Sequence, residues 1–178
     1  MHITAMQFIG LLILVFAAAY AMAVAIVGVP LTAEFETHQE GPPPVYDDVI
    51  LVTSSTVYKG SLMVVVTASG LAQHAADASG TVFSGVAWAS TYVPGAMVLG
   101  ASVAGQRLRV NKTGAYWFNA PTNVTFTQAM VGQEVLVNSD NQVTVTAGNV
   151  TNTIKCGRSV DVDLVNNKLK VRIDGYCY

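Results

Sequence analysis

The end of the chain carries two alternating patterns that become complementary when the chain folds back on itself. If Asn166-Asn167 forms a two-residue turn, opposite charges pair on one face, Asp163 with Lys170 and Asp161 with Arg172. The other face is apolar, and its pairs are Leu164 with Leu169, Val162 with Val171, and Val160 with Ile173. This alternation predicts a half-buried antiparallel hairpin, in which the charged pairs have a structural rather than a catalytic purpose.

The same register places Cys156 opposite Cys177. The pair falls at a non-hydrogen-bonded site of the ladder, where opposing Cα atoms are about 4.5 Å apart. Since these are the only two cysteines of the chain, we expect a disulfide between Cys156 and Cys177, which leaves no cysteine set for zinc.

Short β-branched runs fill the chain from residue 49 onward. They occur at 49–52, 57–66, 81–89, 107–110, 115–119, 134–137 and 142–146, ahead of the terminal hairpin. In the hairpin around residues 138–141, Val135 should face Val145 and Val137 should face Val143. The one helical signal is at 127–133. Short strands with frequent turns predict a mainly β protein, a small antiparallel barrel or sandwich.

The N-terminal segment has no Asp, Glu, Lys or Arg before Glu34. Residues 8–31 form an apolar run of 24 residues, long enough to cross a membrane as a helix. Ala17, Ala21 and Ala25 recur at a spacing that lets helices pack closely. Three uses remain open: a membrane anchor, an arm buried among subunits, and a signal sequence that is cleaved.

Composition divides the chain into an apolar segment at 1–33, a Pro-rich acidic linker at 34–48 and a β domain at 49–178. Only 11% of the residues are charged, which favours burial of surface in an assembly or a membrane. Residues 107–178 hold eight basic and five acidic groups. This interleaved excess is too weak to indicate nucleic-acid binding.

No arrangement of residues indicates an enzyme. The histidines His2, His38 and His74 lack metal-ligand spacing, and the sequence has neither a phosphate loop nor a Gly-x-Ser-x-Gly motif. In the run at 116–118, alternation turns Trp117 away from Tyr116 and Phe118, which favours core packing with one interface residue over a stacking platform. We therefore expect no cofactor, no metal and no catalytic site.

From about residue 50 onward, the order of motifs resembles the head decoration, or capsid cement, proteins of tailed bacteriophages. The motifs are VYKGSLMV (57–64), ASGLA (68–72), FSGVA (83–87), RLRV (107–110) with GAYWF (114–118), VGQEVLV (131–137) and IKCGRSV (154–160). The resemblance implies a small β-barrel or sandwich on the virion surface that binds the major capsid protein, with a homotrimer as the expected assembly. It does not cover the first 45 residues.

Two functions follow from these patterns. The first is a non-enzymatic virion structural protein that decorates and stabilises a capsid. The alternative is a membrane-anchored or secreted β domain of pilin-like layout, since an apolar segment, a β body and a C-terminal cysteine pair occur together. No Glu lies near the start of the apolar run and no basic leader precedes it, and both absences weaken the alternative.

Overall fold

The computed structural model describes Leu31, residues 45–93 and residues 99–174. These residues form two antiparallel five-stranded sheets with two short 3-10 turns, Gln128–Met130 and Ala147–Asn149. The first sheet holds β1 Tyr46–Ile50, β2 Leu62–Val66, β3 Ala72–His74, β4 Thr81–Ala87 and β5 Arg107–Asn111. The second holds β6 Gly114–Asn119, β7 Glu134–Val137, β8 Val143–Thr144, β9 Lys155–Asp163 and β10 Lys168–Ile173. The expectation of a mainly β protein is confirmed.

The two sheets have the same topology. The strand order is β1-β5-β4-β2-β3 in the first and β6-β10-β9-β7-β8 in the second, so each strand corresponds to the one five places later in the chain. The strand β5, RLRVN, corresponds to KLKVR in β10. The described part of the chain is therefore built from two structural repeats, which we call the first and the second unit.

Two pairs of backbone hydrogen bonds at the entrances to β2 and β7 follow the same correspondence, with an offset of 72 residues. Gly60 N donates to Ala87 O at 2.9 Å, and Gly132 N donates to Ser159 O at 2.8 Å. A second bond runs in the opposite direction in each unit: Ala87 N donates to Ser61 O at 2.8 Å, and Ser159 N donates to Gln133 O at 3.0 Å. The loop that enters β2 thus has the same hydrogen-bonded conformation as the loop that enters β7.

The two units pack face to back. In the first unit, Met63, Leu108 and Val110 form a core with Leu51 and Val57, which lie in the connection between β1 and β2. The corresponding residues of the second unit are Val135, Leu169 and Val171, and they belong to the larger core between the sheets. From the first sheet, this core contains the opposite face, represented by Leu62, Val64 and Val86. One face of the second sheet therefore packs against the back of the first.

The terminal hairpin forms, but the predicted register is wrong. Its turn spans residues 164–167, so Lys168 lies opposite Asp163, Leu169 opposite Val162, and Lys170 opposite Asp161. A bulge then leaves Val160 unpaired, Val171 lies opposite Ser159, and Arg172 lies opposite Arg158. Leu164 and Val160, predicted to be on the apolar face, are 62% and 41% exposed. In this register Asp161 does not lie opposite Arg172, and Asp163 does not lie opposite Lys170.

The other hairpin has the predicted register, with Val137 opposite Val143 and Leu136 opposite Thr144. Strand β8 ends at Thr144, so Val145 does not pair with Val135 within it. The strands at 81–89, 107–110, 115–119 and 134–137 were predicted close to their observed bounds. Residues 57–61, predicted as strand, lie outside β2 and contain a turn at 59–60, and the short strand β3 was not predicted.

Candidate interaction surface

The predicted disulfide between Cys156 and Cys177 rests on a strand register that differs from the observed one. Cys156 is an unpaired residue at a bulge between β7 and β9, because Val135 lies opposite Gly157 and Leu136 opposite Lys155. Its thiol is buried and lies 3.5 Å from Val135 O as a hydrogen-bond donor. Burial raises the pKa of the Cys156 thiol far above its ordinary value. Cys177 lies outside the described residues, so the disulfide itself stays a prediction.

Arg172, Lys170 and Asp163 each make a contact that was not predicted. Arg172 Nε pairs with Asp174 Oδ1 at 3.0 Å, and the ammonium of Lys170 lies 5.4 Å from the ring centroid of Trp117. The Asp163 carboxylate accepts hydrogen bonds from the backbone and side chain of Asn166 within the turn. These bonds hold the pKa of Asp163 below its usual value. The Asp163 carboxylate thus stabilises the turn of this hairpin.

The proposed packing stripe of Ala17, Ala21 and Ala25 lies outside the described residues. Within the part of the chain that is described, no helix has the length and apolar character needed to cross a membrane. The same part contains no cluster of three or more metal-ligating side chains.

Exposed large hydrophobic residues concentrate in β1 and in the connection between β4 and β5. Of the twelve such residues among those described, seven lie in these two segments, and Val45 directly precedes β1: Tyr46, Ile50, Trp88, Tyr92, Val93, Leu99 and Val103. The connection spans residues 88–106, whereas the corresponding connection of the second unit spans only 164–167. Five of the twelve are therefore carried by a connection that is much shorter in the second unit.

Five residues form the part of this region with the clearest geometry, which we call the Tyr46–Trp88 surface. The rings of Tyr46 and Trp88 meet edge to face with centroids 5.4 Å apart. Arg109 places its guanidinium 5.6 Å from the Tyr46 ring centroid and pairs with Asp48 at 3.1 Å. Ile50 completes the surface, because alternation along β1 puts it on the same face as Tyr46 and Asp48. An exposed aromatic pair beside a positioned arginine is typical of protein interfaces.

The sheet register explains why these side chains meet. Tyr46 lies opposite Asn111, and Asp48 lies opposite Arg109. Trp88, the first residue after β4, donates its backbone N–H to Arg109 O at 2.9 Å, which extends the row to three strands. The surface therefore lies on neighbouring hydrogen-bonded strands, which bring its side chains together.

A second polar feature joins the N-terminal segment to the two units. The buried Asp140 carboxylate accepts the Leu31 N–H with both oxygens, at 2.8 and 2.9 Å. Its backbone carbonyl accepts the N–H of Leu62 at 2.6 Å. Burial raises the pKa of Asp140, while the Leu31 N–H and the nearby His74 act in the opposite direction. Asp140 thus contacts the chain before the β domain and also ties the second unit to the first.

The same region brings Ser55, His74 and Asp140 near one another without the geometry of a catalytic triad. Ser55 Oγ lies 3.3 Å from His74 Nδ1. The Asp140 oxygens are occupied by a backbone N–H, and Ser55 is 6% exposed. A serine nucleophile needs a base oriented by a third group and access for a substrate. This arrangement is better explained as a structural junction.

A groove lies between the starts of β4 and β9, with a volume of about 290 Å³. Its walls are residues 78–83 and 152–155, which include corresponding segments of the two units. The single charged residue of its lining, Lys155, pairs with Glu134 at 3.1 Å. A lining of this kind has no pair of titratable groups for acid–base chemistry.

Sequence reasoning did not identify the Tyr46–Trp88 surface or the role of Asp140. The alternation of Tyr46, Asp48 and Ile50 is compatible with an exposed strand, but the proline and acid content of 34–48 predicts a linker there. Asp140 is a turn residue whose long-range partners leave no local signal.

No family model matches this chain, and no curated protein matches it.

Proposed function

We propose that the protein is a non-enzymatic structural component of a virion, which decorates a bacteriophage capsid and stabilises it by binding the lattice of the major capsid protein. The observation that carries the proposal is the concentration of exposed apolar and aromatic residues in β1 and in the connection after β4, where the rings of Tyr46 and Trp88 pack edge to face. Such a region has the composition of a protein-binding surface rather than of a solvent-facing one. The order of motifs from residue 57 to residue 160 supports the same class.

Stabilisation would arise by mass action. A protein that binds the assembled lattice better than free capsid subunits shifts the equilibrium toward the intact shell. Each copy contributes a modest contact, and many copies add up to a large resistance to heat and to internal pressure. A homotrimer would strengthen each attachment by multivalency, and the apolar segment at 8–31 would extend the contact to a neighbour.

The alternative is an exported β domain anchored in a membrane through residues 8–31. The apolar run favours it, because its 24 residues match the thickness of a bilayer. The two functions place the native protein in different fractions, so one separation distinguishes them.

The direct test is mass spectrometry on purified capsids and on the membrane fraction of the producing cells, with the mature N-terminus determined in each. We expect the protein to be present in many copies per capsid and depleted from membranes. Recovery in the membrane fraction alone would contradict the decoration proposal and support the anchored domain.

A further inference from the structure

We infer that residues 175–178 continue strand β10 and occupy the groove between the starts of β4 and β9, where they hold the second unit on the first. The inference goes beyond the proposed function and does not depend on it. The occupant is a segment of this chain, rather than a neighbouring copy or a separate peptide.

The groove lies where the starts of β4 and β9 are each paired on one side only. β4 pairs with β5 only at its last two residues, so among the described residues 81–84 are paired on the β2 side alone. β9 pairs with β10 from Arg158 onward, so residues 155–156 adjoin a described strand only on the β7 side. Residues 83 and 84 correspond to 155 and 156 at the offset of 72, and the groove is therefore a gap that both units leave at the same place.

The backbone of β9 directs hydrogen-bonding groups toward this gap. Ile154 O accepts the N–H of Val137 at 2.9 Å, so the backbone groups of Ile154 point toward β7. By the antiparallel pattern, the N–H and C=O groups of the next residue, Lys155, point to the opposite side. An added segment of extended chain on that side would pair with them.

The end of β10 leads the chain directly to the gap. Arg172 lies opposite Arg158, and paired residue numbers in an antiparallel ladder keep a constant sum. Continuing this register places residues 175–178 level with 155–152, which form one wall of the groove. The 3.0 Å ion pair between Arg172 and Asp174 puts both side chains on one face, as a continued strand requires.

The side chains of residues 175–178 suit this position. Ile173 is buried in the core between the sheets, so alternation directs Gly175 and Cys177 toward the first unit. Both residues are small and leave room for the backbone in a groove of about 290 Å³. Tyr176 and Tyr178 face outward, where a ring with a polar end can contact both protein and water.

This position separates the two cysteines. Cys177 lies level with Thr153, three residues from Cys156 along β9, which corresponds to about 10 Å. A disulfide requires Cα atoms within about 7 Å of each other. The inference therefore predicts free thiols at Cys156 and Cys177, in place of the disulfide expected from the sequence. Peptide mapping of the full-length protein that finds a Cys156–Cys177 bond would overturn it.

A matched pair of cysteine substitutions in the full-length protein tests where Cys177 lies. Val82→Cys puts a thiol on the wall of the groove, whereas Val160→Cys puts one on β9 outside it. The two valines are 42% and 41% exposed, so the introduced thiols have similar access to solvent. Both variants also carry Cys156→Ala, which removes the buried thiol, and thermal unfolding checks that they fold.

In oxidised glutathione, we expect Cys177 to form an intrachain disulfide at least about tenfold faster with the thiol at position 82 than with the thiol at position 160. The reason is the higher effective concentration of a thiol held beside the groove. Similar rates in the two variants would overturn the inference. A bond between two chains in the Val82→Cys variant would also overturn it and assign the groove to a neighbouring copy.

Hydrogen exchange tests the same position without an added cysteine. The Lys155 amide should exchange at least about tenfold more slowly in the wild-type protein than in a variant that ends at Asp174. The Val137 amide, which donates to Ile154, is the control and should exchange at the same rate in both. Equal rates at Lys155 would overturn the inference, and if the shortened variant does not fold, the cysteine pair in the full-length chain decides.

Discussion

At the scale of single residues, two glycines hold corresponding places next to the bulges of the two units. Gly85 has a φ of 147° and Gly157 a φ of 154°, in a region that residues with a side chain rarely adopt. A Cβ on Gly85 would overlap the Asn111 carbonyl oxygen, and one on Gly157 would overlap the Arg172 carbonyl oxygen. Glycine therefore permits the close approach of β4 to β5 and of β9 to β10.

Gly157→Ala should destabilise the protein by about 2–4 kcal/mol, since it combines backbone strain with a steric overlap in the middle of a sheet. The control is Gly148→Ala, where an added Cβ has no atom within 4 Å, and we expect a change within about 0.5 kcal/mol there. Urea unfolding of both variants gives the two free energies. Similar values would show that the approach of β9 to β10 does not depend on glycine.

Asp140 makes the stability depend on pH in a defined direction. Its folded pKa is raised above 3.8 by burial, so the folded state binds this proton more tightly than the unfolded state. Its contribution to the free energy of unfolding is greatest below pH 3.8 and declines as the pH rises through the folded pKa.

The comparison with Asp140→Asn isolates this contribution, since the variant keeps an oxygen acceptor but does not titrate. In urea unfolding from about pH 3 to about pH 8, the wild-type protein should lose stability relative to the variant as the pH rises. A difference that stays constant, or that changes in the opposite sense, would contradict the assignment.

At the scale of elements, the terminal hairpin shows how far a sequence pattern determines register. A shift of two residues preserves alternation, so the pairing around Asn166-Asn167 and the observed pairing both bury Leu169 and Val171. The longer turn is favoured by the Asp163 carboxylate, which accepts the N–H groups of Val165 and Asn166 at 3.0 Å each. The strand types were predictable from composition, but the side-chain bonds of the turn and the bulge at Val160 were not.

The observed register is testable by two double-mutant cycles in the hairpin. Asp161 and Lys170 lie directly opposite each other, and we expect a coupling of about 0.2–1 kcal/mol between their alanine substitutions. Asp161 and Arg172, the pair expected from the shorter turn, should show a coupling near zero. If chemical denaturation gave a coupling for Asp161 with Arg172 and none for Asp161 with Lys170, the register predicted from the sequence would be the correct one.

Burial of Cys156 in the sheet core predicts slow thiol chemistry. In full-length protein carrying Cys177→Ser, the Cys156 thiol should react with a disulfide reagent at least about 100-fold more slowly when folded than in denaturant, since it is both buried and protonated. Rapid labelling of the folded protein would show that the bulge exposes the thiol.

At the scale of the whole molecule, two similar units carry different surfaces. Because the two units pack face to back, the outer face of the second sheet is not covered by the first unit. This face carries the charged residues of β9 and β10, which suits contact with solvent. The first unit instead carries the long connection at 88–106 and the exposed strand β1. The mainly β class was predictable from short runs of β-branched residues. The repetition was not, because few residues are identical between the units and the correspondence lies in strand order and hydrogen bonds.

The measurement that tests the central claim most directly is the tolerance of capsids to heat and osmotic shock, with and without this protein. Particles that lack it should break at a lower temperature and after a milder shock, and added wild-type protein should restore both values. Equal tolerance of complete particles and particles lacking the protein would contradict the account.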